Sequence, residues 1–360
     1  MEIGIYTFGD LPAGARGPQA AQRRLQEIVA AAQLADDAGL HVFGVGEHHR
    51  SDYAVSAHTV VLGAIAARTR SIRLTSAVTI LSSADPVRVF EDFATLDLLS
   101  AGRAELMAGR GAFIESFPLF GFALQDYEAL YNEKLALLLK LRSEARISWT
   151  GAFRPALEGV EVAPRPVSPQ LPIWIGAGGT PMSAVRAGQA GLPLNLANIG
   201  GEPQRFQAFV DLYRQTGRAA GHADASLKVA ISGHLHVQRD SQRARAEFFP
   251  HYTHYMRHNL PQRDVGWAIS AADYAQLASP RGSLFVGSPQ EIVDKILYEH
   301  ELFGHQRFLA QIDIGGLPFS KVAEVIELLA VDVLPAVQRA LGQGTCAAAA
   351  EHAPVASMHN

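Results

Sequence analysis

Three ionisable side chains in a row, Glu47-His48-His49, follow the apolar, glycine-bearing run Val42-Phe43-Gly44-Val45-Gly46. Such a run suits a parallel strand covered on both faces. Charged groups at the carboxyl end of such a strand stand where α/β folds gather their chemistry. A carboxylate and two imidazoles at one strand end, Glu47, His48 and His49, are candidates for acid–base work. A polar loop capping the next helix would show the same residues, so the case rests on what other strand ends carry.

Several carry unusual residues: Thr75-Ser76-Ala77, Gly109-Arg110-Gly111, Gly176-Ala177-Gly178-Gly179-Thr180, and Asn195 with Asn198. Gly178, Gly179 and Thr180 precede a helix that starts near Pro181, and free N–H groups at a helix start favour an anion such as phosphate. A plain left-handed turn is the other reading of these glycines. Arg110 could supply a bidentate guanidinium to the same phosphate, or be an exposed loop arginine. The spacing is not the full Gly-x-Gly-x-x-Gly of a dinucleotide site. His234 and His236, two apart on a strand, share one face, as metal-ligand pairs do in barrel hydrolases. That reading would have to recruit Glu47, His48 and Asp313 and leaves the Arg110 and Gly178–Thr180 pattern unexplained. Inward-facing polar residues near a pocket rim are preferred, and no metal site is assigned. His251, His254 and His258 fall at helical spacing, as on a solvated or lid-facing edge.

Positioning these groups is a task for elements whose pattern is regular. The chain has 360 residues, 48% hydrophobic and 18% charged, which is ordinary for a soluble globular protein. A net charge of −4 without a long basic run gives no electrostatic case for nucleic acid or an anionic membrane. No apolar run is long enough to span a bilayer, and the N-terminus enters a strand pattern without a basic leader. The single cysteine, Cys346, rules out a disulfide framework within the chain, so a cytoplasmic address is expected. Strands are predicted at 3–7, 41–46, 72–78, 104–108, 173–175, 192–196, 227–237 and 308–312. Helices are predicted between them, including 18–38, 54–68, 127–141 and a last one from Ser320 to about Leu341. The segment 147–172 reads as a hairpin-bearing excursion. Eight strands separated by helices argue for a closed (β/α)8 TIM barrel with insertions; a doubly wound open sheet is the alternative. One domain is expected over 1–341, with an insertion at about 239–305, around the turn Pro280-Arg281-Gly282, that forms a lid, and a disordered tail over 342–360.

Taken together and in order, these motifs resemble the bacterial luciferase-like flavin monooxygenases. The resemblance rests on Glu47-His48-His49, Ser76-Ala77, Asp85-Pro86-Val87-Arg88, Gly102-Arg103, Gly109-Arg110-Gly111, Phe117-Pro118-Leu119-Phe120-Gly121 and Pro172-Ile173-Trp174-Ile175-Gly176 leading to Gly-Gly-Thr. It runs from Met1 to about Leu341. It implies a barrel whose open face binds reduced FMN and uses O2 through a flavin C4a-hydroperoxide to oxygenate a small organic substrate. By that resemblance Ser76-Ala77 forms a bulge behind the flavin ring, often with a non-proline cis peptide. By the same resemblance Arg110, Gly178, Gly179 and Thr180 hold the phosphate, His48 is the active-site histidine that steers the hydroperoxide or exchanges a proton, and Glu47 orients the pair of histidines. A separate NAD(P)H:flavin reductase is expected as partner, and the small-residue helix 54–68 is expected to pack a homodimer. F420-dependent hydride transfer and a non-catalytic flavin-binding barrel are the related alternatives. One position departs from the pattern: luciferases proper carry a reactive cysteine where this chain has Gly109, so light emission is not assumed, and the glycine is expected to leave room for a bulkier or different substrate.

Overall fold

In a computed structural model, which describes residues 1–111, 113–259 and 269–350, the predicted strands close into one parallel ring. The strands are β1 (Glu2–Thr7), β2 (Val42–Val45), β3 (Arg73–Ser76), β4 (Thr79–Ile80), β5 (Ala104–Gly109), β6 (Arg146–Trp149), β7 (Leu157–Glu161), β8 (Ile173–Ala177), β9 (Leu194–Ala197), β10 (Val229–Val237), β11 (Phe285–Gly287) and β12 (Arg307–Gln311). The helices are α1 (Pro18–Asp37), α2 (His58–Ala66), α3 (Pro86–Leu99), α4 (Ser116–Leu119), α5 (Tyr127–Ser143), α6 (Pro181–Gln189), α7 (Gln207–Ala219), α8 (Ser241–Asn259), α9 (Ala271–Leu277), α10 (Pro289–Phe303), α11 (Phe319–Leu328) and α12 (Leu334–Ala350). Around the ring the order is β1, β2, β3, β5, β8, β9, β10, β12 and back to β1. This is the (β/α)8 barrel, not an open sheet. The antiparallel pair β6–β7 is the predicted hairpin.

Local chemistry explains the boundaries that position the site. Asp85 caps α3 by accepting from the N–H groups of Val87 (2.9 Å) and Arg88 (3.2 Å), with Pro86 in the first turn. Helix α10 starts on a capping box between Ser288 and Glu291. At the barrel floor, Arg307 donates to Glu105 (2.6 and 3.1 Å) and Glu2 (2.8 Å) beneath the Trp174 ring, and Arg73 joins the same Glu105. Each buried charge there has a partner, which burial demands. Above it Tyr6, Val42, Ala77, Met107, Trp174, Ala230 and Leu309 pack the interior. The floor is therefore closed, and the carboxyl ends of the strands form the one mouth of the ring.

Three expectations change. Helix α2 begins at His58, not near Ala54, because the preceding segment is tied to neighbouring loops: Ala54 N–H donates to Gly9 O (2.8 Å) and His48 N–H to Val55 O (3.0 Å). The stretch 239–305 is only partly an insertion. Strand β11 pairs with β10, Leu235 beside Phe285, and α10 is the barrel's own helix before β12. The turn Pro280-Arg281-Gly282 lies against α10, with the Arg281 guanidinium 3.9 Å from the Tyr298 ring centre. Within the same stretch it is α8 that lies across the mouth. Its Asn259 accepts from Arg50 (3.0 Å) and Tyr53 (2.9 Å), His251 meets Gly315 O (3.2 Å), and Tyr252 and Tyr255 set their edges on His234. The rest of that stretch, 260–268, lies outside the described residues. Finally, α12 continues to Ala350, beyond Leu341, as its alanines permit. The tail expected over 342–360 is thus helical in its first part, and 351–360 lie outside the described residues.

Candidate active site

His48 sits just beyond β2 with 4% of its surface exposed. Its ring lies among Phe8 (4.8 Å between centroids), Tyr53 (4.3 Å) and Phe113 (4.9 Å). Nδ1 is 2.9 Å from Glu115 Oε1, while Nε2 is buried and has no hydrogen-bond partner among the described residues. Burial pushes the Glu115 carboxyl up, but its bond to His48 and its own backbone N–H outweigh that and hold it below the usual range. Glu115 is thus an anion that accepts the hydrogen bond from Nδ1–H. Nε2 is left with a lone pair in the neutral ring and a proton in the cation.

Glu47 does not orient His48. In extended chain successive side chains point to opposite sides, so Glu47 shares its side with His49 rather than with the residue between them. His49 Nε2 is 3.0 Å from Glu47 Oε2, Ile80 N–H donates to Oε1 (2.7 Å), and His58 Nδ1 lies 3.7 Å away. Burial raises the Glu47 carboxyl, yet the bond from His49, the His58 ring and the Ile80 N–H together leave it below the carboxylate range. His58 is pushed down by burial and bonds Thr79 Oγ1 at 2.8 Å. Glu47 therefore ties the segment after β3 to the segment after β2.

That segment holds the Ser76-Ala77 motif. Ser76 Oγ is committed to β5, donating to Met107 O (3.0 Å) and accepting from Met107 N–H (2.9 Å). It locks the strand edge, its proton committed and one acceptor site left on the oxygen. The peptide Ala77-Val78 is cis, one bond later than the predicted bulge, and carries Val78 across the ring. A Cβ built on Gly109 would stand 2.5 Å from Val78 Cγ2, and one on Gly176 would stand 2.6 Å from Val78 Cγ1. The room expected at Gly109 is therefore already taken by Val78.

Beyond β8, Gly178 and Thr180 are exposed at the start of α6, and the space where a Cβ of Gly178 would project is open. Gly179 has φ +99° and lies against Phe206, a position few side chains tolerate. Arg110 is not free: it pairs with Glu128 of α5, which also takes Arg186 of α6 at 3.1 Å. The glutamate thus links Arg110 to the helix that Gly178-Gly179-Thr180 begins.

On the opposite wall, Asn195 accepts from Ser232 (2.9 Å), whereas Asn198 turns away to the buried Glu299 (2.6 Å), whose carboxyl is raised to about 8 by burial despite that bond. His234 is lowered to about 3 by burial. Next to it in register stands Gln311, fully buried, with neither amide atom paired among the described residues. His236 stacks on Phe248 at 5.3 Å, with Glu247 3.5 Å from its Nε2. No three His, Cys, Asp or Glu side chains gather to hold a metal among the described residues. The residues a hydrolase would recruit are instead dispersed, Glu47 on His49, His48 on Glu115, and Asp313 on Thr7.

The model of the family described as luciferase-like monooxygenase matches residues 1–306. The chain belongs to the luciferase-like monooxygenases. It is accordingly an enzyme of that oxidoreductase class. The chain is 26% identical to the crystal structure of monooxygenase RslO1 from Streptomyces bottropensis, with a TM-score of 0.80 over 93% of this chain and 99% of that one. It is 23% identical over 349 residues to the oxygenase component of a flavin-dependent trigonelline monooxygenase of Acinetobacter baylyi, covering 88% of this chain and 91% of the relative. An F420-dependent secondary alcohol dehydrogenase shares the fold at 17% identity, with a TM-score of 0.69 over 93% and 98% of the two chains.

Within this luciferase-like site the sequence missed Glu115, Glu128, Arg186, Gln311 and the aromatic wall of Phe8, Tyr53 and Phe113. Only Arg186 left a signal, since the helix start at Pro181 fixes its position on α6. Among the described helices none is long and apolar enough to cross a membrane.

Proposed function

We propose that this chain is the oxygenase component of a two-component system that uses reduced FMN and O2 to oxygenate a small organic substrate. The observation that carries the reading is His48, fixed through Nδ1 on Glu115 and uncommitted at Nε2 inside an aromatic wall at the mouth. The surrounding residues fit the cofactor. Exposed backbone at Gly178–Thr180, at the start of the helix that carries Arg186 and is linked through Glu128 to Arg110, suits a phosphate. Ala77 and Val78 offer an apolar ledge that suits a flat ring. When bound, reduced FMN would supply the electron pair that lets one atom of O2 enter the substrate while the other leaves as water.

The chain's own residues do the remainder. Arg110 holds the phosphate with Gly178, Gly179 and Thr180. Glu47 pins Ile80 and so fixes the Ala77-Val78 ledge. Glu115 keeps the His48 ring in one tautomer and direction, so that Nε2 can hold or take up a proton beside the reacting atoms. Helix α8 shields that volume from water. The relative's description as an oxygenase component supports a separate NAD(P)H:flavin reductase as partner, and a cytoplasmic location goes with that supply. The outer face of α2, where Val60 is 71% exposed and Gly63 meets open space, supports a homodimer.

Rapid mixing tests the reading. Reduced FMN mixed with O2 should reoxidise more slowly on the protein than free in buffer, and the pure protein should not oxidise NADH until a flavin reductase is added. Equal reoxidation rates with and without protein would overturn it.

A further inference from the structure

Arg110 and Arg186 reach one carboxylate, Glu128, from two different elements, Arg110 following β5 and Arg186 standing on α6. Each guanidinium also lies over a tyrosine of α5: Arg110 is 5.4 Å from the Tyr127 ring centre and Arg186 is 5.1 Å from that of Tyr131. Tyr127, Glu128 and Tyr131 belong to adjacent turns of one helix, so α5 presents a ring, a carboxylate and a ring to the two arginines. Both arginine side chains are 15% exposed, whereas Glu128 is 52% exposed. The cations are built in and the anion is the loose member. Two guanidiniums against one carboxylate leave one positive charge over, and Arg186 Nη1 is buried with no partner among the described residues. A planar guanidinium with an unused donor is an incomplete site for a tetrahedral oxyanion.

We infer that Glu128 is a built-in stand-in for the cofactor phosphate, and that Arg186 is a second phosphate-binding guanidinium beside Arg110. The inference rests on the FMN reading above and deepens it at the residues that read the phosphate. A phosphate dianion balances both guanidiniums and supplies acceptors for Nη1. Glu128 then leaves the pair and swings to solvent, its exposure making that inexpensive. Before the cofactor arrives the carboxylate keeps two neighbouring cations from repelling one another. The same competition sharpens selection: a flavin without a phosphate cannot displace Glu128 and gains nothing from either arginine.

The test is a titration of FMN and of riboflavin, followed by flavin fluorescence, on the full-length protein and two variants. Arg186→Met should weaken FMN about 10-fold or more, the scale of a lost charge-assisted pair. Glu128→Gln should tighten FMN about 5-fold, since it removes both a competitor and a repelling charge. Riboflavin should bind all three proteins alike, which also checks that each is folded. Inorganic phosphate should compete with FMN, and more strongly on Glu128→Gln. If FMN binds but neither variant changes the ratio of FMN to riboflavin affinity, the inference fails and the FMN reading stands. If neither flavin binds the unaltered protein, the FMN reading fails and carries the inference with it.

Discussion

At the residue scale, the chemistry turns on which carboxylate serves which histidine. Glu47 and Glu115 lie on different segments, and only Glu115 touches His48. His48→Ala should therefore slow oxygenation by roughly 10²–10⁴-fold, the range of a positioned acid–base group, while leaving FMN affinity unchanged. Glu115→Ala should cost about 10-fold, because the ring remains but its tautomer and direction are no longer held. Glu47→Gln should act on stability and FMN affinity, through Ile80 and the ledge, more than on rate. Single-turnover rates and FMN titrations on the three variants check this ordering. Equal losses for Glu47→Gln and Glu115→Ala would contradict it. His48 was legible because the strand-ending triplet is a local pattern. Its partner was not, because Glu115 lies 67 residues away in a loop with no periodicity, and loop closure leaves no mark on spacing. Assigning Glu47 to both histidines failed for a simple reason: adjacent residues on extended chain face opposite ways.

Elements explain how the mouth is covered and how it answers to pH. Strand β10 carries His234 into the interior, where α8 closes over it with Tyr252 and Tyr255. Burial lowers that imidazole from its ordinary value to about 3. An unfolded chain takes up a proton there as the pH falls through about 6.5, whereas the folded chain does not until about 3. His234 thus lends its full stability above pH 6.5 and loses it as the pH falls toward 3, at about 1.4 kcal/mol per pH unit. Urea unfolding midpoints measured from pH 7 to pH 4.5 should fall, and His234→Phe should fall less steeply; parallel slopes would contradict the assignment. Helix α8 is latched at Asn259 by Arg50 and Tyr53, so Asn259→Ala should speed proteolytic cleavage near the end of α8, and bound FMN should slow it. Strand positions and helix starts such as Pro18 and Pro181 were legible from periodicity and capping. The cover was legible only as a stretch: 239–305 reads as a lid with a lid-facing histidine edge, but the 280–282 turn marks a bend without saying that it packs on α10, and α8 finds its place only once β10 lies beneath it.

For the molecule as a whole, closure of the ring follows from β10 pairing with both β9 and β12, which makes every strand end part of one rim. That is why motifs from Glu47 to Gln311 meet although no local signal joins them. The outer face of α2, with Val60 and Ala64 turned outward, should be covered by a second copy in solution. Light scattering should give twice 38.7 kDa at micromolar concentration, and Val60→Glu should halve it without loss of FMN binding. The central claim is that this rim accepts a phosphorylated flavin. Anaerobic calorimetric titration with reduced FMN, reduced riboflavin and reduced F420 addresses it most directly. One FMN per chain, bound more tightly than riboflavin and in preference to F420, is the expected result; no heat from FMN, or preference for F420, would contradict the account.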